Sequence, residues 1–114
     1  MKYNFKLNSA GYPLCIVEEP YALFGQFLSF EMVPTRIKEI ESALKRFRSN
    51  NFGEIEIERD DAVLTILPGG EVELDIWNEG EDSGDSSQMF LVDFEKVFVD
   101  WKAFLESEWG GSRT

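Results

Sequence analysis

From Gly53 to Trp77 the chain alternates apolar and polar residues through three short runs, Gly53–Arg59, Ala62–Leu67 and Glu71–Trp77, joined by Asp60-Asp61 and Pro68-Gly69-Gly70. Period-two alternation punctuated by turn residues is the pattern of half-buried strands, so the segment predicts an antiparallel meander. Its turns predict its register. A two-residue Asp60-Asp61 loop sets Glu58 opposite Val63, Glu56 opposite Thr65 and Glu54 opposite Leu67. A three-residue loop with Gly70 in the left-handed conformation sets Leu67 opposite Glu71, Thr65 opposite Glu73 and Val63 opposite Asp75. Ile55, Ile57, Leu64, Ile66, Val72, Leu74 and Ile76 then share one apolar face, the core side. The other face carries a central stripe of Val63, Thr65 and Leu67 between two carboxylate rows, Glu54, Glu56, Glu58 and Glu71, Glu73, Asp75, with Trp77 in line with the second row.

The same stretch holds the charge. Twelve carboxylates and one base, Arg59, lie between Phe52 and Gln88, which accounts for the whole formal charge of −11; the other residues balance. Charge concentrated in this way attracts cationic surfaces and speeds encounter with them. Asn78–Ser87 reads as an exposed mobile loop that adds Glu79, Glu81, Asp82 and Asp85 to the acidic surface.

The remaining segments complete an α+β pattern. Tyr3, Phe5 and Leu7 alternate with polar residues and Leu14–Val17 follows a turn at Asn8–Gly11, which predicts an N-terminal hairpin. Over Tyr21–Val33 the alternation of Leu28, Phe30 and Met32 favours a strand, although Leu23, Phe24, Phe27 and Leu28 also suit a helical turn. Pro34 opens a predicted helix with Ile37, Ile40, Ala43, Leu44 and Phe47 on one face and Arg36, Lys38, Lys45, Arg46 and Arg48 on others. Met89–Val92 predicts a short strand. Asp93 is the expected cap of a last helix, whose Phe94, Val97, Phe98, Trp101, Phe104 and Leu105 form one apolar stripe. The expected architecture is a single domain over residues 1–109 with a frayed 110–114 tail. It consists of one mostly antiparallel sheet of about five to seven strands, with two amphipathic helices packed on one face.

Several chemistries are disfavoured. The chain has no His, which removes imidazole-based nucleophile activation and metal sites. Exposed carboxylate rows offer no apolar pocket to raise one pKa for glycosidase chemistry. Asp82-Ser83-Gly84-Asp85 has oxygen ligands but lacks the spacing of a calcium loop. No catalytic, cofactor or metal role is expected. The lone Cys15 forms no internal disulfide, no secretory apolar run opens the chain, and no segment approaches the roughly 20 apolar residues of a membrane span. These features suggest a cytoplasmic protein, monomeric when free, that contacts neither membrane nor nucleic acid directly.

The order of Gly25-Gln26-Phe27, the helix ending at Phe47, Val63-Leu64-Thr65-Ile66-Leu67 followed by Gly70-Glu71-Val72-Glu73, and Val92-Asp93-Phe94 opening an aromatic helix resembles the YacL-like family of small uncharacterised bacterial proteins. That resemblance implies the fold more than a function. In size, acidity and lack of a catalytic set, the chain also resembles bacterial immunity proteins of contact-dependent growth inhibition systems. This second resemblance implies a cytoplasmic inhibitor of a basic toxin, a nuclease above all. The alternatives are an anti-CRISPR or DNA-mimic inhibitor and a YacL-like cytosolic protein of another role.

Overall fold

In the computed structural model, which describes residues 1–50, 53–77 and 84–109, the chain runs β1 (Tyr3–Leu7), β2 (Pro13–Val17), α1 (Ala22–Ser29), α2 (Pro34–Asn50), β3 (Ile55–Glu58), β4 (Ala62–Leu67), β5 (Glu71–Trp77), β6 (Gly84–Phe90) and α3 (Leu91–Glu108). The class is α+β, with two antiparallel sheets instead of one: β1-β2, and a four-stranded β3-β4-β5-β6. Within the larger sheet Glu58 pairs with Val63, Glu56 with Thr65, Thr65 with Glu73 and Val63 with Asp75, as the two turns require. Gly70 adopts φ 88° in the second turn, a conformation open to glycine at little cost.

Tyr21–Val33 is helical over Ala22–Ser29, which corrects the favoured strand. Phe24, Phe27 and Leu28 bury one helical face, and the competing alternation failed because Phe30 lies beyond the helix and points into solvent. This third helix is also what divides the sheets. Its Ser29 Oγ accepts the Cys15 N–H of β2 at 2.9 Å and donates to the Gly25 carbonyl at 2.8 Å. The outward edge of β2 is therefore sealed by a helix instead of a further strand. Gly25 permits the approach: a Cβ there would lie 2.7 Å from the Cys15 oxygen.

Two further boundaries differ. β6 begins at Gly84, so a strand takes in the last four residues of the expected Asn78–Ser87 loop, whose first six lie outside the described residues, and Val92 lies in α3. The polar segment Gly84–Gln88 has little to bury; it is recruited by the β5 edge, by Met89 in the core, and by Ser87 Oγ donating to the Pro20 carbonyl at 3.0 Å. α3 begins at Leu91 with Phe90 at its N-cap and no side-chain cap, so Asp93 sits in the first turn, where its charge complements the helix dipole.

The inner face of the larger sheet joins the apolar stripes of all three helices in one core that includes Ile57, Leu64, Ile66, Val72 and Leu74. Burying each such side chain contributes about 1.5 to 3 kcal/mol. Phe24 meets Phe94 edge-on, and Phe5 of β1 lies against Trp101 and Phe104, which fixes the hairpin to α3. Tyr3 adds a hydroxyl bond to Asp100 at 2.5 Å.

One polar residue sits inside this frame. Glu31, only 1% exposed, follows α1, and its carboxylate accepts Arg59 Nε at 3.0 Å and Nη2 at 2.6 Å, with Arg36 Nη1 at 3.3 Å. Its backbone carbonyl accepts the indole N–H of the fully buried Trp101 at 2.9 Å. Arg59 also donates to Glu39 at 2.5 Å and to the Glu58 carbonyl at 2.9 Å. Burial on its own would lower the Arg59 pKa, but the bonds to Glu31 and Glu39 and their negative charge raise it.

Two substitutions test this packing. Arg59→Met strands a buried carboxylate with only the more exposed Arg36 as counter-charge, and is expected to cost about 3 kcal/mol in urea unfolding. Glu31→Leu combined with Arg59→Met should recover much of that loss, because no unpaired charge remains. Gly25→Ala is expected to destabilise by about 1 to 3 kcal/mol, because the added methyl overpacks against the β2 backbone. Helix propensity alone predicts the opposite sign, a gain of about 1 kcal/mol.

Candidate functional site

On the larger sheet the strands present their apolar residues to the helices and their carboxylates outward. The structure brings Glu56, Glu58, Val63, Thr65, Leu67, Glu71, Glu73, Asp75 and Trp77 onto this outward face. Read across the strands, the pairing forms ranks: Glu56–Thr65–Glu73–Gln88, Glu58–Val63–Asp75–Ser86, and Leu67–Glu71–Phe90. Neighbouring members of a rank lie about 4.8 Å apart, and alternate residues along a strand about 7 Å. Glu54 precedes β3 and is exposed.

Asp85 is a correction. It pairs with Ile76, so it belongs to the helix-bearing side of the sheet, exposed at its margin, away from the carboxylate rows. Glu79, Glu81 and Asp82 lie outside the described residues, as does most of the Asp82–Asp85 oxygen-ligand motif, whose Gly84 and Asp85 are strand residues. Among the described residues no group of His, Cys, Asp or Glu side chains is arranged to hold a metal ion.

The structure adds Ser86, Gln88 and Phe90, which the sequence pattern did not assign to this face. Phe90 is 63% exposed at one end, and Trp77 is 41% exposed at the other end of β5. Six residues of strand separate their ranks, about 20 Å. Gln88 Nε2 donates to Glu73 at 2.7 Å. The available signal was parity: once β6 is extended back to Gly84, Ser86, Gln88 and Phe90 must face outward together.

Arg59, the one base of the acidic stretch, is withdrawn from the face to Glu31 and Glu39. Among the described residues no Lys or Arg forms an ion pair with Glu56, Glu58, Glu71, Glu73 or Asp75. Of the bases of α2 and α3, Arg36 pairs with Glu31, Arg48 with Glu95 and Lys102 with Glu41. The Asp75 pKa is raised by burial, and further by the charge of Glu73 and a hydrogen bond to it. The rows are thus short of positive charge by construction.

Elsewhere, a groove of about 650 Å³ runs between β2 and α1, lined by Tyr12, Leu14, Ile16, Ala22, Phe30 and Met32 among others. It is apolar and shares no residue with the carboxylate face. Cys15 at its floor is buried, and burial pushes its thiol up to about 12, so at neutral pH it is a protonated core residue and no nucleophile. No helix among the described residues is long and apolar enough to cross a membrane.

Because the Asp75 pKa is raised on folding, the folded chain holds that proton more tightly than the unfolded chain does. Ionisation therefore costs stability; the cost is absent well below the ordinary value of 3.8 and appears as pH rises through the folded pKa. Asp75→Asn is expected to raise the melting temperature at pH 7 and low salt by on the order of 1 to 3 °C, given the small size of exposed charge effects. The gain should shrink in high salt and vanish only well below pH 3.8, which calorimetry across pH will show. No protein family model, curated protein or solved structure shows significant similarity to this chain.

Proposed function

We propose that this protein is an acidic inhibitor that binds a basic nuclease-type toxin domain through the outward face of its four-stranded sheet, in the manner of an immunity protein. The observation that carries this reading is that Glu56, Glu58, Glu71, Glu73 and Asp75 are ordered on one face, with no internal cation among the described residues. Mutual repulsion of carboxylates is a cost that a merely soluble surface has no need to bear. A nuclease has to be basic to hold phosphates, and a complementary acidic surface meets it quickly by electrostatic steering. The chain then acts by occlusion in the cytoplasm and catalyses nothing itself.

The apolar residues favour a protein partner over simple phosphate mimicry. Val63 and Leu67 lie between the rows, and Trp77 and Phe90 stand exposed at the ends. Aromatic side chains in such positions are typical binding hot spots, whereas a phosphate mimic has no use for them.

The test is binding to, and protection against, the toxin encoded by the neighbouring gene. Glu56→Lys with Glu73→Lys is expected to slow association at least tenfold in low salt, with the difference narrowing as salt is added. Protection of toxin-expressing cells should fall in parallel. Unchanged association of the double variant would move the interface off this face, and nucleic-acid hydrolysis by the purified protein would defeat the inhibitor reading.

A further inference from the structure

The central rank of the outward face differs from its neighbours in one respect: its middle residue is a hydroxyl. Thr65 is only 9% exposed, enclosed between Glu56 on β3 and Glu73 on β5. Its Oγ1 has no hydrogen-bond partner among the described residues and is not sealed from solvent. A hydroxyl this enclosed ordinarily has a partner in the protein or in an ordered water. The flanking ranks have Val63 and Leu67 at the same place.

We propose that Glu56, Thr65 and Glu73 form a socket for one lysine side chain of the partner. This rests on the inhibitor reading above and specifies its central contact. A primary ammonium has three N–H donors and no acceptor, and the rank offers three acceptors on adjacent strands: the Thr65 oxygen and a carboxylate from each side. Neighbouring strands set each carboxylate about 4.8 Å from the threonine at the backbone, within reach of a flexible glutamate. An arginine guanidinium is a flat fork suited to one carboxylate in its own plane, and it straddles a recessed hydroxyl poorly.

The surroundings fit the same occupant. Val63 and Leu67 lie two residues either side of Thr65 on β4, so the methylene stem of a lysine has apolar surface to rest on. Gln88 donates to one oxygen of Glu73 at 2.7 Å and Asp75 shares a hydrogen bond with the same carboxylate, and these contacts orient it within the rank. Arg59, the only base of the acidic stretch, is engaged by Glu31 and Glu39 and cannot fill the socket from within.

Hexalysine and hexa-arginine peptides, titrated into the intact protein at low salt and followed by methyl NMR, test the assignment. Hexalysine should give saturable shifts at the Thr65, Val63 and Leu67 methyl groups. Thr65→Val keeps the shape and suits a strand; it should weaken hexalysine binding about three- to tenfold, as expected for loss of a hydrogen bond to a charged group. Thr65→Ser should restore binding, and hexa-arginine should change less than twofold between wild type and Thr65→Val. Equal hexalysine affinity for Thr65→Val, or an equal loss with hexa-arginine, would overturn the socket while leaving the acidic face intact as an interface. Absence of shifts on the outward face with either peptide would instead count against the face itself.

Discussion

The Glu31–Arg59 pair is the polar contact through which the separate parts of this fold are held to one another. The carboxylate comes from the connection between α1 and α2, the guanidinium from the turn between β3 and β4, and the same Glu31 receives the indole of Trp101 from the middle of α3. A charge this deeply buried is tolerable only with its bonds in place. The consequence is orientation more than net stability, since an apolar replacement of similar size is often as stable. Three elements that pack through interchangeable apolar side chains are given one mutual arrangement by a contact that cannot slide.

The pair also explains why the outward face is uniformly negative. Arg59 directly follows Glu58 in the acidic stretch, where a solvated arginine would be free to neutralise the nearby carboxylates. Its capture by Glu31 and Glu39 takes it out of that role. One interaction thus links two levels, the internal geometry of the domain and the electrostatic character of its surface.

The parts of this architecture legible in the sequence were those governed by short-range rules. The meander register follows from Asp60-Asp61 and Gly70, and the buried faces of α2 and α3 follow from apolar spacing, because turn geometry and periodicity act over a few residues. What was not legible depended on distant partners. Gly25 and Ser29 acquire their meaning from β2, Gly84–Gln88 becomes a strand because β5 has an edge to fill, and Glu31 carries no sign in its neighbourhood that an arginine far along the chain will bind it. Asp85 reads in the sequence as part of an exposed loop, whereas pairing with Ile76 makes it a strand residue on the helix-bearing side. The register of β3, β4 and β5 puts Glu56, Glu58, Val63, Thr65, Leu67, Glu71, Glu73, Asp75 and Trp77 on one face because it is set by the two short turns.

The alternation along β3, β4 and β5 separates two kinds of constraint onto two sides of one set of strands. Odd and even positions answer to different demands, one to the volume of the core and the other to whatever approaches from outside. Substitutions at the outward positions can therefore accumulate without disturbing the packing beneath them, so lineages can revise the outward surface while inheriting the scaffold unchanged. A gain or loss of one residue within these strands has no such freedom, because it exchanges the two sides at once.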